Sequence, residues 1–174
     1  NFKVNCTGKI ELYGQTFHCW KEKGHGTVDL KNAMKQSCDT YFYETARLLG
    51  VDRLKITAEK FGLGKKVLAK YFDIEKQGLF PNTIWKKNNL GKGWVLGETL
   101  ITGIGQGYIQ TTPIQLCLMT ALIANGGYKI EPKIIVNNEP LSSLEVKRNI
   151  EAQKLINLES QLVKDKRNLE IIQK

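Results

Sequence analysis

The chain has 174 residues, 41% of them hydrophobic, which is enough for one domain with a buried core and argues against disorder. Its formal charge is +9, but the basic residues lie in separate short pairs without interleaved aromatic side chains, so the pattern does not favour nucleic acid as a partner. No apolar run reaches the roughly 18 residues that span a bilayer, and the chain opens without a Met or a signal peptide. We therefore expect a fragment whose membrane anchor lies outside it.

A β-hairpin is the first predicted element. β-favouring side chains in residues 8–20 flank a turn at Tyr13-Gly14-Gln15. Cys6 and Cys19 would then lie near the open end of the hairpin, on opposite arms. The segment Gly24-His25-Gly26 follows as a tight loop.

Helices dominate the next part of the chain. Asp29 is a favourable N-cap for a helix over residues 30–36, which Ser37-Cys38-Asp39 interrupts. Two further helices are predicted, each ended by a glycine at its C-terminus: residues 40–49 before Gly50, and residues 51–61 before Gly62.

Residues 63–100 show no clear period. They predict a long surface connection with one short helix near residues 82–88. Trp85 and Trp94 in this segment could form a partner surface or could pack within the protein. Glu98 is expected on the surface.

The last predicted elements are a helix, a strand and a tail. Thr112 and Pro113 open a strong helix that runs to about residue 125, because threonine caps it and proline in the first turn loses no hydrogen bond. Residues 116–124 are apolar, so we expect this helix to be buried with Cys117 in the core. A strand over residues 129–136 and a charged, helical stretch after Ser143 complete the chain.

Ser37 and Asp39 stand where one predicted helix ends and the next begins. Both residue types are common N-caps, so local chemistry favours capping, with Asp39 at the start of the second helix. The same pair also matches the Ser-x-Asn motif, or a variant of it, found in acyl-transfer enzymes that use a serine nucleophile and a lysine.

Several short segments in the same order resemble one family. Ser37-x-Asp39 followed by Thr40-Tyr41-Phe42-Tyr43 is similar to the second motif of class B penicillin-binding proteins of the elongation type, usually called penicillin-binding protein 2. The resemblance covers roughly residues 18–135. Its other landmarks are Trp20-Lys21, Gly24-His25-Gly26, Gly50-Val51-Asp52-Arg53-Leu54, Phe61-Gly62-Leu63-Gly64, Gly103-Ile104-Gly105-Gln106-Gly107-Tyr108 and Thr112-Pro113-Ile114-Gln115-Leu116.

The resemblance implies an α+β fold, of which this chain would be a mainly helical portion of a penicillin-binding/serine β-lactamase-like transpeptidase domain. It divides residues 1–174 of this partial domain into a zinc-binding hairpin and loop (1–38), a helical core (39–136) and a charged, helical tail (137–174). The tight turn at Gly103-x-Gly105-x-Gly107 would lie under the active-site floor and is not a dinucleotide-binding motif.

The resemblance also implies a function. The complete protein would be a peptidoglycan D,D-transpeptidase that cross-links stem peptides through a serine acyl-enzyme, is inhibited by β-lactams, and acts in cell elongation and shape. It would lie at the periplasmic face of the bacterial inner membrane, with the glycan polymerase and scaffold proteins of the elongation machinery as partners. Ser37 would relay a proton to the departing amine, and Asp39 would orient its neighbours.

Two motifs of the family are missing. No Ser-x-x-Lys precedes Ser37, and no Lys-Thr-Gly or Lys-Ser-Gly occurs anywhere. The acylated serine of the family belongs to the first of these motifs, so we expect that a β-lactam does not acylate the 174-residue chain alone. Two alternatives stay open: a zinc-stabilised interaction module in which Ser37 and Asp39 only cap a helix, and a β-lactamase or carboxypeptidase of the same superfamily.

Three of the four cysteines fall in the first 38 residues. Cys6, Cys19, His25 and Cys38 could form a closed, structural zinc site; Cys6 and Cys19 could instead form a disulfide; or the cysteines could be unrelated apolar residues. His18 would serve poorly because neighbouring side chains on a strand point to opposite faces. The resemblance favours Zn²⁺, since some elongation-type members carry zinc at this place and the periplasm oxidises free thiol pairs.

Overall fold

The computed structural model describes residues 2–128 and 130–132, so the predicted tail after Ser143 and most of the strand predicted over 129–136 lie outside the described residues. The chain forms two compact units, one of residues 1–58 and 79–110, the other of residues 59–78 and the described residues from 111 onward. The segment limits 1–38, 39–136 and 137–174 stay a prediction. The described elements are β1 (Lys3–Cys6), β2 (Lys9–Leu12), β3 (Gln15–His18), β4 (Gly26–Asp29), α1 (Leu30–Gln36), α2 (Asp39–Leu49), α3 (Val51–Lys60), α4 (Thr83–Leu90), α5 (Leu96–Gly103) and α6 (Pro113–Ala124).

Two small antiparallel sheets begin the first unit. The predicted hairpin is present as β2 and β3, with Tyr13 and Gly14 both in the left-handed region that a two-residue hairpin turn requires. The second sheet pairs β1 with β4 and places Cys6 opposite Gly26. The sequence did not indicate this sheet, because its two strands have four residues each and lie some twenty residues apart.

The junction between α1 and α2 differs from the predicted capping. Asp29 caps α1 as expected, with its carboxylate accepting a hydrogen bond from the Asn32 amide at 2.9 Å. The N-cap of α2 is Cys38, however, and Asp39 is the first residue inside the helix. The prediction that Asp39 caps α2 is therefore wrong, because its carboxylate accepts a hydrogen bond from the Trp20 amide instead.

Helix α5 shows that residues 63–100 are not simply a surface connection. Helix α4 lies close to the predicted short helix, but α5 was not predicted; it packs on α2 and contains the fully buried Leu100. Gly103 permits this packing, since a Cβ atom at that position would lie 2.4 Å from the Ala46 Cβ and 3.0 Å from the Phe42 carbonyl oxygen. The predicted tight turn follows, with positive φ at Gly105 and Gly107.

A buried ion pair joins α4 to α5. Lys86 and Glu98 form a salt bridge with side chains that are only 7% and 18% exposed, so the prediction that Glu98 lies on the surface is wrong. The two tryptophans of this region pack around the pair. The Trp85 ring lies against Tyr108, and the Trp94 indole donates to the Thr99 hydroxyl at 2.8 Å.

Helix α6 organises the described part of the second unit. Thr112 and Gln115 form the capping box, and the buried Gln115 amide also donates to the carbonyl oxygens of Lys65 at 2.7 Å and Gln77 at 2.8 Å. The expectation that α6 is buried is wrong, because Leu116 is 44% exposed and Cys117 is exposed as well. An apolar composition does not show which face of a helix will be covered. Within the described ranges, no helix combines the length and the apolar character needed to cross a bilayer.

Candidate functional site

The four residues predicted as metal ligands come together in the first unit. Cys6 ends β1, Cys19 follows β3, His25 precedes β4, and Cys38 lies between α1 and α2. Their ligand atoms all lie within 4.8 Å of one another, and the three cysteines are buried. All four of the chain's cysteines are free thiols in the structure. We call Cys6, Cys19, His25 and Cys38 the thiol cluster.

Two glycines allow the loops of the thiol cluster to approach each other. A Cβ atom at Gly24 would lie 2.1 Å from the Cys6 carbonyl oxygen, and one at Gly8 would lie 1.9 Å from the Glu22 carbonyl oxygen. Both glycines also have positive φ, which other residues rarely adopt. The Cys19 amide donates to the Gly8 carbonyl at 2.8 Å, so this contact joins the loop after β3 to the turn after β1.

Two distances in the thiol cluster match those of a tetrahedral metal site. His25 Nδ1 lies 3.6 Å from Cys6 Sγ and 3.5 Å from Cys19 Sγ. Sulfur and nitrogen ligands on one tetrahedral zinc ion lie about 3.5 Å apart, given zinc–sulfur and zinc–nitrogen bonds of about 2.3 and 2.05 Å. The imidazole thus presents Nδ1 to the sulfurs, while its buried Nε2 has no hydrogen-bond partner among the described residues. The donor set and these two distances fit zinc.

Burial and hydrogen bonding set different pKa values for two thiols of the cluster. Burial raises the pKa of Cys6, but hydrogen bonds with Thr40 and His25 outweigh it, and the pKa is lowered to about 6. Burial raises the pKa of Cys38 to about 12. A bound cation would favour the thiolate form at every sulfur it contacts, including Cys38.

Ser37 adopts an unusual backbone conformation at the end of α1. Its φ and ψ are 49° and 51°, a left-handed conformation that costs a residue with a Cβ atom roughly 1–2 kcal/mol. Helices often end this way, but usually at glycine. The exposed Ser37 lines an open cleft of about 550 Å³, together with Trp20, Lys21, His25, Lys35 and Gln36. We call this cleft the Ser37 cleft.

Asp39 is held beside the Ser37 cleft by Trp20. The Asp39 Oδ2 atom accepts a hydrogen bond from the Trp20 amide at 2.9 Å, which links the start of α2 to the residue after Cys19. Cys38, between the two polar residues, turns its side chain into the thiol cluster. Ser37 and Asp39 therefore flank Cys38, which is buried in the thiol cluster, whereas Ser37 itself lines the cleft.

Three residues that support this site were not singled out for it from the sequence. Thr40 Oγ1 lies 3.2 Å from Cys6 Sγ, and the Tyr43 hydroxyl donates to the His18 carbonyl at 3.1 Å. Trp20 contacts both Gln36 and His25 through its side chain. The available signal was the position of Trp20 directly after Cys19, but the partners of its indole are distant in sequence.

Comparison with known proteins supports the resemblance found in the sequence. Residues 1–168 match the family model described as the penicillin binding protein transpeptidase domain. Peptidoglycan D,D-transpeptidase MrdA of Acinetobacter baumannii is 40% identical over 134 residues, which are 76% of this chain and 20% of that protein.

Two solved structures are also similar. Pseudomonas aeruginosa PBP2 in complex with WCK 5153 is 42% identical with a TM-score of 0.72, over 80% of this chain and 34% of that one. The matched chain in the solved Helicobacter pylori complex between PBP2 and MreC is 34% identical to this chain with a TM-score of 0.73. The match covers 85% of this chain and 28% of that one.

The fold, the family model and these similarities define the class: the chain belongs to the penicillin-binding protein transpeptidase domain family. The predicted α+β portion of such a domain is confirmed. The similarities to MrdA and PBP2 confirm the particular resemblance to the elongation type. The chain spans about a fifth of the length of MrdA from A. baumannii.

Proposed function

We propose that this chain is part of a peptidoglycan D,D-transpeptidase of the elongation type, which cross-links stem peptides through a serine acyl-enzyme and binds β-lactams. The observation that supports this most strongly is the Ser37-x-Asp39 pair, with Ser37 opening onto a cleft, in a chain 40% identical to MrdA. The nucleophile and the Lys-Thr-Gly motif would come from other parts of the complete protein.

In this proposal Ser37 moves a proton and does not attack the substrate. A hydroxyl group both donates and accepts hydrogen bonds, so it can take a proton from a neighbouring lysine while giving its own to the departing amine. The left-handed turn presents Ser37 to the cleft rather than along α1. Asp39 keeps the start of α2 in register with the loop at Trp20.

We further propose that the thiol cluster holds a structural Zn²⁺. Cys6, Cys19, Cys38 and His25 Nδ1 would supply four ligands, which leaves no open position for substrate. The ion would supply no reaction chemistry; it would fix its ligands in place. Because Cys38 lies between Ser37 and Asp39, such an ion would hold the second motif against β1 and the loop after β3.

The cellular setting is proposed from the relatives. We place the complete protein at the periplasmic face of the bacterial inner membrane, anchored through a segment outside this chain and acting in cell shape. The H. pylori PBP2–MreC complex supports a scaffold protein as a partner. A glycan polymerase of the elongation machinery would be the second partner.

The test uses the complete protein that carries this chain. Ser37→Ala should lower the rate of stem-peptide cross-linking by roughly 10²- to 10⁴-fold, the usual contribution of a positioned proton-transfer group. Thr16→Ala in the exposed part of β3 is the matched control and should retain the wild-type rate. Cross-linking by Ser37→Ala at the wild-type rate, or a complete protein that fluorescent penicillin does not label, would contradict the proposal.

A further inference from the structure

Trp20 is an exposed aromatic residue that is nevertheless held at several points. Its side chain and backbone together are 65% exposed, so it contributes little to the core. Its indole Nε1 donates to the Gln36 carbonyl at 3.0 Å, and its backbone amide donates to Asp39 Oδ2 at 2.9 Å. Because an exposed side chain contributes little hydrophobic stabilisation, we look for the role of Trp20 in these two hydrogen bonds.

The two hydrogen bonds enclose Ser37. Gln36 precedes Ser37 in sequence and Asp39 lies two residues after it, so Trp20 bonds to the chain on both sides of the left-handed residue. The bonds that close the end of α1 run from the amides of Ser37 and Cys38 to the carbonyls of Met34 and Ala33. The Gln36 carbonyl therefore receives its hydrogen bond from outside the helix.

The other side of Trp20 rests on the thiol cluster. The indole ring meets the His25 ring edge-on, with 5.3 Å between the ring centroids, and Trp20 follows Cys19 directly. Trp20 and His25 both line the Ser37 cleft. The indole thus contacts both a member of the thiol cluster and the residue before Ser37.

We propose that Trp20 is a positioning residue for the transpeptidation reaction: its indole N–H holds the Gln36 carbonyl and thereby fixes the turn that aims the Ser37 hydroxyl into the cleft. The inference rests on the proposed function, since it assumes that Ser37 takes part in acyl transfer. Trp20 acts through Ser37 and takes no proton itself.

Two variants of the complete protein isolate the indole N–H. Trp20→Phe keeps an aromatic ring beside His25 and keeps the backbone bond to Asp39, but removes the donor to Gln36. Replacement of Trp20 by benzothienylalanine, which has sulfur in place of the N–H, removes only the donor and preserves the ring shape. Tyr13→Phe, at an exposed turn outside the cleft, is the matched control for loss of a polar group from an exposed aromatic residue.

Both Trp20 variants should lower the kcat of cross-linking by roughly 10- to 100-fold, the cost of a misplaced reacting group. The KM, the melting temperature and the metal content should stay at wild-type values, and Tyr13→Phe should change nothing. A purely structural role for Trp20 would lower the melting temperature instead.

A double-mutant cycle with Ser37→Ala decides whether Trp20 acts through Ser37. The double variant Trp20→Phe/Ser37→Ala should be no slower than Ser37→Ala alone, because without the Ser37 hydroxyl the conformation of the turn no longer affects the rate. If the losses of kcat from the two substitutions multiply in the double variant, the two residues act independently and the inference is overturned. A wild-type kcat in the benzothienylalanine variant would also overturn it. If Ser37→Ala cross-links at the wild-type rate, the proposed function fails together with this inference. If Ser37→Ala is slow but both Trp20 variants cross-link at the wild-type rate, only this inference fails.

Discussion

The ion pair between Lys86 and Glu98 allows the sharpest stability prediction. Replacing Glu98 by Gln removes the negative charge and leaves the Lys86 ammonium, only 7% exposed, without its counter-ion. Breaking a buried pair by removing one partner costs about 3–5 kcal/mol. We expect the lower end, about 3 kcal/mol, because the Gln amide oxygen can still accept hydrogen bonds and because the ammonium lies 5.9 Å from the centroid of the Trp94 ring.

Thermal unfolding of the complete protein, followed by calorimetry, measures this loss. A loss of about 1 kcal/mol lowers the melting temperature by roughly 2–4 °C in a domain of about 150–250 residues and by less in a larger one, so we expect a fall of at most roughly 6–12 °C. Glu11→Gln is the control, since it breaks an exposed salt bridge with Lys9 and should leave the melting temperature unchanged. Equal melting temperatures for Glu98→Gln and wild type would refute the reasoning.

The pH dependence of the same variant gives a second check. Burial raises the pKa of the Glu98 carboxyl, but hydrogen bonds from Lys86 and the Val95 amide outweigh it and hold the pKa below its ordinary value. A carboxyl with a lowered folded-state pKa stabilises fully above its unfolded pKa of about 4.3, and the contribution is lost as the pH falls through the folded-state pKa. The difference between wild type and Glu98→Gln should therefore be constant from pH 8 to 6 and shrink below about pH 4.

Two further predictions concern the thiol cluster and the α2–α5 contact. Cys38→Ser should lower the zinc content, the melting temperature and the rate of cross-linking together. Elemental analysis with a thiol count measures the zinc and the free cysteines. A wild-type protein with no zinc and one Cys6–Cys19 disulfide would contradict the zinc proposal. Gly103→Ala should destabilise the protein by about 1–3 kcal/mol because the added methyl group would overlap Ala46, whereas an unchanged denaturant midpoint would show that the helices can separate without cost.

The sequence was sufficient to predict those elements that depend on interactions between neighbouring residues. The hairpin follows from its turn, α1 from the Asp29 cap, and α6 from Thr112 and Pro113, because each of these interactions joins residues at most a few positions apart. The members of the thiol cluster were also named from the sequence, but their spacing left a zinc site, a disulfide and unrelated cysteines open, and the family resemblance favoured zinc.

Elements that depend on distant partners could not be predicted. Helix α5 contains Gly97 and Gly103, which disfavour a helix, and it is supported by the Lys86–Glu98 pair and by packing on α2. Likewise Trp20 is 16 residues from Gln36, and no periodicity reports such a hydrogen bond. The exposure of Cys117 was missed because apolar neighbours in sequence do not specify what packs against a helix.

Under the proposed proton-relay role, the left-handed backbone at Ser37 sets stability against activity at a single position. Glycine adopts this conformation without the Cβ penalty, so on backbone grounds alone a glycine would suit the end of α1 better. A serine there accepts that penalty and gains a hydroxyl at the edge of the cleft. A screen for thermostable variants would favour the loss of this hydroxyl, whereas a screen for cross-linking would retain it.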